Sequence, residues 1–169
     1  MLVAVISDTH MPRGGRRLPE ACVERIAAAD LLLHAGDLMT AEVLRELEAI
    51  GPPVVAVHGN VDSAELRRLL PAERVVDVGG ARIAMIHDAG PRAGRIERMR
   101  RRFGDRADAV VFGHSHLPLH ERAEDGFQIF NPGSPTERRG AAAHTMGIGR
   151  AEGGRLDFEL IELIPYTAS

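Results

Sequence analysis

Short apolar runs recur along the first two thirds of the chain, and each run stops at a cluster of polar residues. Leu2–Ile6 stops at Ser7–His10, and Leu31–Leu33 stops at His34–Asp37 in the same way. Apolar runs of this length with polar ends are typical of buried parallel strands. Segments with helical periodicity lie between them, so the order of elements predicts a largely parallel sheet with right-handed crossovers.

The remaining pattern predicts the other elements of one α/β domain. Helices are predicted for Pro19–Ala27, Thr40–Ile50, Ser63–Leu70 and about Arg92–Phe103. Further strands are predicted at Val54–Val57, Arg74–Val78, Arg82–Ile86, Ala109–Phe112, Phe127–Phe130, Thr145–Ile148 and Leu156–Ile161. The β-rich tail does not fit the strand–helix alternation, so we expect it to extend a second sheet. We therefore expect a single domain over residues 1–169, built as a four-layer α-β-β-α sandwich of two mixed sheets with flanking helices.

Composition excludes several classes of protein. The lone Cys22 cannot form an intramolecular disulfide, and a net charge of −3 argues against binding nucleic acid by bulk electrostatics. An apolar fraction of 44% with 27% charged residues is typical of a globular chain. The sequence has neither a long apolar run nor a basic leader at its start, so we expect a cytoplasmic protein without membrane association.

Five of the predicted strand ends carry side chains that can bind metal ions. These residues are Asp8, His10, Asp37, Asn60, His87, His114 and His116. The carboxyl ends of parallel strands meet at one edge of a sheet, so these side chains should converge. A mixed nitrogen and oxygen set suits Mn, Fe, Co, Ni or Zn better than calcium. Seven ligands exceed the need of one tetrahedral ion and suit two ions that share a carboxylate, although any one strand tip alone is ordinary polar sequence.

The order of these tips resembles the calcineurin-like metallophosphoesterase superfamily. The motifs are Asp8-x-His10, Gly36-Asp37, Gly59-Asn60-x-Asp62, His87 and Gly113-His114-x-His116. The short chain, the Gly-Asn-x-Asp form and the segment Asn131–Ser134 are similar to the small single-domain YfcE-like phosphodiesterases of bacteria and archaea. The resemblance extends from about residue 3 to about residue 150.

The resemblance implies a distribution of ligands and a mechanism. Asp8, His10 and His116 would hold one ion, Asn60, His87 and His114 the other, and Asp37 would bridge them. Two divalent ions, with manganese as the first expectation, would activate a bridging hydroxide for in-line attack on phosphorus. Asp37, Asn60 and His87 would form the catalytic set around that hydroxide.

Two positions depart from the pattern of the larger members. Many of those members place a histidine two residues after the metal-binding asparagine, where this chain has Asp62, so the general acid is unassigned. The family often has His-Gly where this chain has His87-Asp88. Asp88 either orients His87 or only forms a turn.

Substrate contacts are predicted at three positions beside the ligands: His58, Asp62 and Arg138. For His58, a satisfied buried histidine is an equally good interpretation. His34 should support a ligand from behind. The arginine-rich segment Arg92–Arg106 is interpreted first as a solvated helix face, with a phosphate-contacting rim as the alternative.

We predict a metallophosphoesterase, a phosphoric diester hydrolase that acts on a small phosphodiester and that could also accept a phosphomonoester. The first alternative is a non-catalytic metal-binding scaffold or protein-interaction module of the same fold, such as the retromer subunit that shares it. The second is a small nuclease, which the arginine-rich segment keeps open although the net charge and an aromatic fraction of 4% weigh against it. The C-terminal strand could pair between subunits of a homo-oligomer.

Overall fold

Two five-stranded sheets pack face to face in the computed structural model, which describes residues 1–163. The strands are β1 Leu2–Ile6, β2 Leu31–His34, β3 Val54–Ala56, β4 Glu73–Val78, β5 Ala81–Ile86, β6 Ala109–Val111, β7 Leu119–Arg122, β8 Gln128–Asn131, β9 His144–Glu152 and β10 Arg155–Leu163. The helices are α1 Glu20–Ala27, α2 Ala41–Glu48, α3 Ala64–Leu69 and α4 Arg95–Phe103. Thr40 and Ser63, the first residues of two predicted helices, are N-caps whose hydroxyls accept from the backbone amides of Val43 and Leu66.

The first sheet has the order β10-β9-β1-β2-β3, and the second has the order β4-β5-β6-β8-β7. β1, β2 and β3 run parallel to one another, as do β5, β6 and β8. Antiparallel strands flank both parallel groups, so each sheet is mixed. The parallel strands direct the polar segments after β1, β2, β3, β5 and β6 toward one edge of the sandwich.

The core lies in three apolar layers. Val5 and Leu33 of the first sheet share a buried cluster with Met85 and Val111 of the second. A second cluster joins the outer face of the first sheet to α1, α2 and α3, and a third joins the outer face of the second sheet to α4. The α-β-β-α sandwich is thereby confirmed, and its apolar layers hold the strand ends of the two sheets beside one another.

The tail of the chain differs from the prediction. Only β7 and β8 join the second sheet, whereas β9 and β10 form a hairpin that pairs with β1 in the first. The expectation that the whole tail extends one sheet is therefore wrong, because strand pairing across the sequence leaves no local periodic signal. β7, with the sequence LHER, was not predicted because it lacks an apolar run.

Helix α4 begins at Arg95, three residues later than expected. The preceding Gly94 has a left-handed backbone with φ of 64°, which excludes the segment before it from the helix. Met99 and Phe103 are buried and attach the helix to the second sheet. Among residues 1–163, no helix has the length and apolar character needed to cross a bilayer.

Candidate metal centre

The ends of β1 and β6 bring together a first group of candidate ligands, Asp8, His10 and His116. The Nε2 atom of His116 lies 3.4 Å from Asp8 Oδ1, and that of His10 lies 3.9 Å from the same oxygen. All three side chains are buried. Both Nε2 atoms lack a hydrogen-bond partner, which is costly for a buried polar atom unless an ion occupies the space between them.

The ends of β2, β3, β5 and β6 bring together a second group. Asn60 Oδ1 lies 3.1 Å from His87 Nε2 and 3.1 Å from His114 Nδ1. Asp37 Oδ2 lies 3.2 Å from His87 Nε2. These oxygen and nitrogen atoms face one another, and a cation bound between them would offset the repulsion of their lone pairs. Asn60 and His114 are exposed to solvent, so this group forms the open side of the site.

Asp37 lies between the two groups. Its Oδ2 atom is 3.5 Å from His10 Nε2 on one side and 3.2 Å from His87 Nε2 on the other. Its second oxygen, Oδ1, accepts a hydrogen bond of 3.0 Å from the backbone amide of Val61. The carboxylate is thus fixed where one oxygen can contact ions in both groups. The fold brings all seven sequence-predicted ligands into one site with the nitrogen and oxygen donors that transition metals prefer.

Five of these seven residues have a left-handed backbone, with φ between 46° and 68°. They are Asp8, His10, Asp37, His114 and His116. Asp and His occupy this region more readily than most residues, but each such position still costs about 1–3 kcal/mol. The sharp turns aim successive side chains into one small volume. The backbone strain is therefore concentrated at the candidate ligands themselves, a pattern expected of a functional site.

Close backbone approach is needed where β2 and β3 end. A Cβ atom on Gly59 would overlap the carboxylate and the backbone amide of Asp37. Gly36 has a φ of 95°, and a Cβ there would lie 2.7 Å from Nδ1 of His87. Only glycine allows these loops to pack beside the ligands.

The charges in the site favour a bound cation. Burial alone would raise the pKa of Asp37, but the hydrogen bond and charge of His87 outweigh it and lower that pKa to about 2. Burial would lower the pKa of His87, but hydrogen bonding to Asp37 and the charges of Asp8 and Asp37 raise it. Both shifts reflect the attraction between His87 and the negative charge that Asp8 and Asp37 concentrate at this point, and a metal ion would offset that charge.

Hydrogen bonds from behind orient the ligand histidines. The Nδ1 atom of His87 lies 2.8 Å from the carbonyl oxygen of Ala35, to which it donates, leaving Nε2 free as a ligand. Asp88 instead accepts from the amide of Gly90 at 2.7 Å and is exposed. Of the two roles considered for Asp88, the turn is therefore the correct one.

The sequence profile of the calcineurin-like phosphoesterase superfamily domain matches residues 1–154. The chain belongs to this superfamily. A protein named probable metallophosphoesterase in Methanothermobacter thermautotrophicus is 36% identical over 164 residues, covering 95% of this chain and 92% of that protein. Another probable metallophosphoesterase, from Methanocaldococcus jannaschii, is 34% identical over 143 residues, covering 82% of this chain and 70% of that protein. The family resemblance is confirmed, and the protein is a metal-dependent phosphoesterase.

Solved structures show the same architecture. The solution structure of Thermotoga maritima protein TM1076 superposes with a TM-score of 0.74 at 28% identity, covering 96% of this chain and 99% of that one. The crystal structure of Vps29 with zinc from Entamoeba histolytica superposes with a TM-score of 0.75 at 21% identity, with coverage of 96% and 99%. At that lower identity the likeness establishes a shared fold alone.

Asp62 supports the loops of this phosphoesterase from inside. Its carboxylate accepts three backbone hydrogen bonds, at 3.0 Å from Asp37, 2.6 Å from Met39 and 2.7 Å from Gly59. The side chain is 4% exposed. Both oxygens are thus engaged away from solvent, which contradicts the predicted substrate contact. The carboxylate ties the loop after β2 to the loop after β3.

The other two predicted substrate contacts remain predictions. His58 is partly buried, with Nδ1 3.3 Å from the carbonyl oxygen of Gly59. Arg138 is exposed on the loop that follows β8, and its guanidinium donates to the carbonyl of Ala142 at 2.9 Å. Neither contact places the side chain against the candidate ligands.

Residues at the end of β8 and just after it brace the site, a role that their motif in the sequence did not predict. Asn131 Nδ2 donates to the carbonyl of Gly113 at 2.9 Å and to the hydroxyl of Ser115 at 3.1 Å. Ser134 donates from its hydroxyl to the carbonyl of Asp8 at 2.8 Å. The Asn-Pro-Gly-Ser segment therefore fixes the loops that carry the first group of ligands.

His34 is fully buried beneath the site. Its Nδ1 atom accepts from the amide of Gly36 at 3.2 Å, and Nε2 lies 3.1 Å from the hydroxyl of Thr9. It therefore supports the ligand loops as predicted, through Thr9 and Gly36. Burial lowers the pKa of His34 to about 4, because a charged ring is disfavoured away from water. The hydrogen bond that Nδ1 accepts is compatible with that neutral ring.

This burial predicts an acid-dependent loss of stability. Below the ordinary pKa of 6.5 the unfolded chain takes up a proton at this residue and the folded protein does not. Because of His34, the free energy of unfolding should therefore fall by about 2 kcal/mol when the pH is lowered from 7.5 to 5. Urea unfolding of chelator-treated protein measures it: the stability advantage of the parent over His34→Gln should shrink by that amount. The exposed His120→Gln variant is the control, and an unchanged gap between parent and His34→Gln would contradict the prediction.

Proposed function

We propose that the protein is a phosphodiesterase that uses two divalent transition-metal ions, manganese being the first expectation. The observation that carries the proposal is the convergence of seven nitrogen and oxygen donors, two of them buried nitrogens without a partner. Asp8, His10 and His116 would hold one ion. Asn60, His87 and His114 would hold the other, with Asp37 contacting both.

When bound, two such ions supply Lewis acidity, which lowers the pKa of water and offsets charge on the phosphoryl oxygens. The residues of this chain position those charges. Asp37, fixed by the amide of Val61, sets the spacing between the two groups. The solvent-exposed His114 and Asn60 leave the second group open, so a phosphoester can approach from that side.

The leaving group determines which esters suit this site. The carboxylate of Asp62, at the position where larger relatives have a histidine, is buried and bound by three amides. It therefore cannot donate a proton to a departing oxygen. Esters of acidic alcohols, such as phenols, need less help from a general acid. We expect the enzyme to favour aryl phosphodiesters over alkyl ones.

A comparison of two aryl substrates tests the proposal. Protein stripped with a chelator and reloaded with Mn²⁺ or Ni²⁺ should hydrolyse bis(p-nitrophenyl) phosphate with a kcat/KM at least about tenfold above that for p-nitrophenyl phosphate. The stripped protein should lose this activity, and returned metal should restore it. Equal or faster turnover of the monoester would contradict the diester assignment. Activity that persists unchanged in chelator would contradict the role of the metals.

The two alternatives make different demands on the chain. A scaffold of the Vps29 type would share the fold without needing turnover. A protein complex that still forms when residues of the metal centre are substituted would favour it.

The nuclease interpretation depended on the arginine-rich segment. There Arg95 and Arg98 donate to carbonyls of residues 89–94, while Arg100 and Arg102 form ion pairs. The partners of Arg100 and Arg102 are Asp125, in the turn between β7 and β8, and Glu73 on β4. These four arginines therefore bind groups of the protein itself, so this observation no longer favours a nuclease.

A further inference from the structure

We propose that Glu137, held in place by Arg16, positions both histidines of the Asp8–His10–His116 group and sets how tightly this group binds its ion. The inference rests on the proposed two-metal function. Glu137 lies on the loop after β8, outside the seven predicted ligands. Its role would be to orient and polarise ligands without touching the metal.

Glu137 contacts the rear of both histidine rings. Its backbone carbonyl oxygen lies 2.7 Å from Nδ1 of His116. Its side-chain Oε2 atom lies 3.9 Å from Nδ1 of His116 and 3.9 Å from Nδ1 of His10. The two ring centroids are 5.0 Å apart. One residue therefore faces the Nδ1 atoms of both rings from the side opposite the metal centre.

This placement has a chemical consequence at the other ring nitrogen. The carbonyl fixes the proton of His116 on Nδ1, and the nearby carboxylate favours the same tautomer in His10. Nε2 of each ring then carries the lone pair, and these are the two buried nitrogens that have no partner. Negative charge behind an imidazole also makes it a better donor to a cation. Glu137 thus favours, in both rings, the tautomer whose Nε2 lone pair can bind a metal ion.

Glu137 is itself held at two points, its side chain and its backbone amide. Its Oε1 atom accepts from Nη2 of Arg16 at 2.8 Å, and Nη1 of Arg16 donates to the carbonyl of Arg13. Its backbone amide donates to the Ser134 hydroxyl at 2.9 Å. The Glu137 side chain is 26% exposed and that of Arg16 is 25% exposed, so water screens this pair less than a fully exposed one. The carboxylate is therefore ordered beside the rings.

The second group lacks an equivalent carboxylate. Nδ1 of His87 donates to the carbonyl of Ala35, and Nδ1 of His114 lies 3.1 Å from Asn60 Oδ1. Within residues 1–163, the carboxylates beside His87 are the candidate ligands Asp8 and Asp37, which face its Nε2 atom, and His114 forms no ion pair. A change at Glu137 should consequently affect one metal ion and spare the other. This selectivity separates a positioning role from a general effect on folding.

Calorimetric titration of metal-free protein with Mn²⁺ tests the inference independently of catalysis. The parent should show two binding events, and the event lost in His116→Ala is assigned to the first group. Glu137→Gln should weaken that event by about 10- to 100-fold and leave the other within about threefold. Glu159→Gln is the matched control, because Glu159 pairs with Arg150 at 3.1 Å on strands outside the site. It should leave both events unchanged.

The results separate the inference from the proposed function. If the parent shows two binding events and Glu137→Gln leaves both unchanged, or weakens both equally, the role of Glu137 is overturned. The two-metal proposal then still stands. A parent that binds fewer than two ions contradicts the two-metal proposal. In that case a single event lost in His116→Ala and weakened by Glu137→Gln still supports the role of Glu137, and an unweakened one overturns it.

Arg16→Met provides a second variant that leaves the loop after β8 intact. It frees the carboxylate without removing it, so the same event should weaken by a smaller factor, about three- to tenfold. Thermal melting of each metal-free variant identifies any loss of folding. If Glu137→Gln does not fold, Arg16→Met decides the question, and an unchanged first event in that variant overturns the inference.

Discussion

Asp37→Asn should reduce phosphodiester hydrolysis by about 10³-fold, equivalent to about 4 kcal/mol in the activation barrier. The substitution keeps an oxygen that can accept from the amide of Val61, so the loop retains its anchor. It removes the negative charge that lies 3.5 Å from His10 Nε2 and 3.2 Å from His87 Nε2. Without that charge the two groups of ligands would no longer share an anion, and the spacing of the two proposed ions would be lost.

Steady-state hydrolysis of bis(p-nitrophenyl) phosphate at saturating Mn²⁺ measures this effect on kcat. Asp88→Asn is the matched control, because Asp88 lies next to a ligand, is exposed and accepts only from the amide of Gly90. Its kcat should stay within about twofold of the parent, as surface substitutions generally do. Activity of Asp37→Asn close to that of the control would exclude the bridging role.

Asp62→Ala should lower the free energy of unfolding by about 4 kcal/mol. Three backbone amides, those of Asp37, Met39 and Gly59, donate to this carboxylate in the interior. Hydrogen bonds to a buried charged acceptor contribute about 1.5–3 kcal/mol each, and part of the loss is recovered if water enters the space left behind. Metal binding should weaken too, since two of the amides belong to Asp37 and to the glycine before Asn60.

Urea denaturation at neutral pH measures this loss. Asp77→Ala is the matched control, because Asp77 also accepts from a backbone amide, that of Gly80, but on an exposed hairpin. Its cost should stay below about 1 kcal/mol, since water can replace an exposed acceptor. A loss for Asp62→Ala no larger than that of the control would mean that the tie between the two loops adds little stability.

The sequence predicted the fold and the convergence of the ligands for one physical reason. Buried parallel strands leave continuous apolar runs, and their carboxyl ends lie at one edge of the sheet. Asp8, Asp37 and His87 could therefore be grouped although they lie far apart in the chain. The left-handed backbone at Asp8 and Asp37 was not predicted, since it depends on how the loops pack and not on residue type alone.

The supporting residues were harder to predict from sequence. Asp62 fits the same motif as Asn60, yet its side chain faces three amides that only the folded loops bring together. Glu137 carried no signal beyond following the Asn-Pro-Gly-Ser segment, because its partners Arg16 and His116 lie 121 and 21 residues away. Contacts of this kind arise from tertiary packing, as does the pairing of β9 with β1.

The position of β1 within its sheet determines when the metal centre can mature during protein synthesis. β1 pairs with β2 on one side and with β9, residues 144–152, on the other. Ser134, which holds the carbonyl of Asp8, also lies in the last quarter of the chain. Because the ribosome releases the N-terminal part first, Asp8 emerges long before the partners that shape its turn. Loading of the proposed ion beside Asp8 would thus be completed only after residues 144–152 have left the exit tunnel.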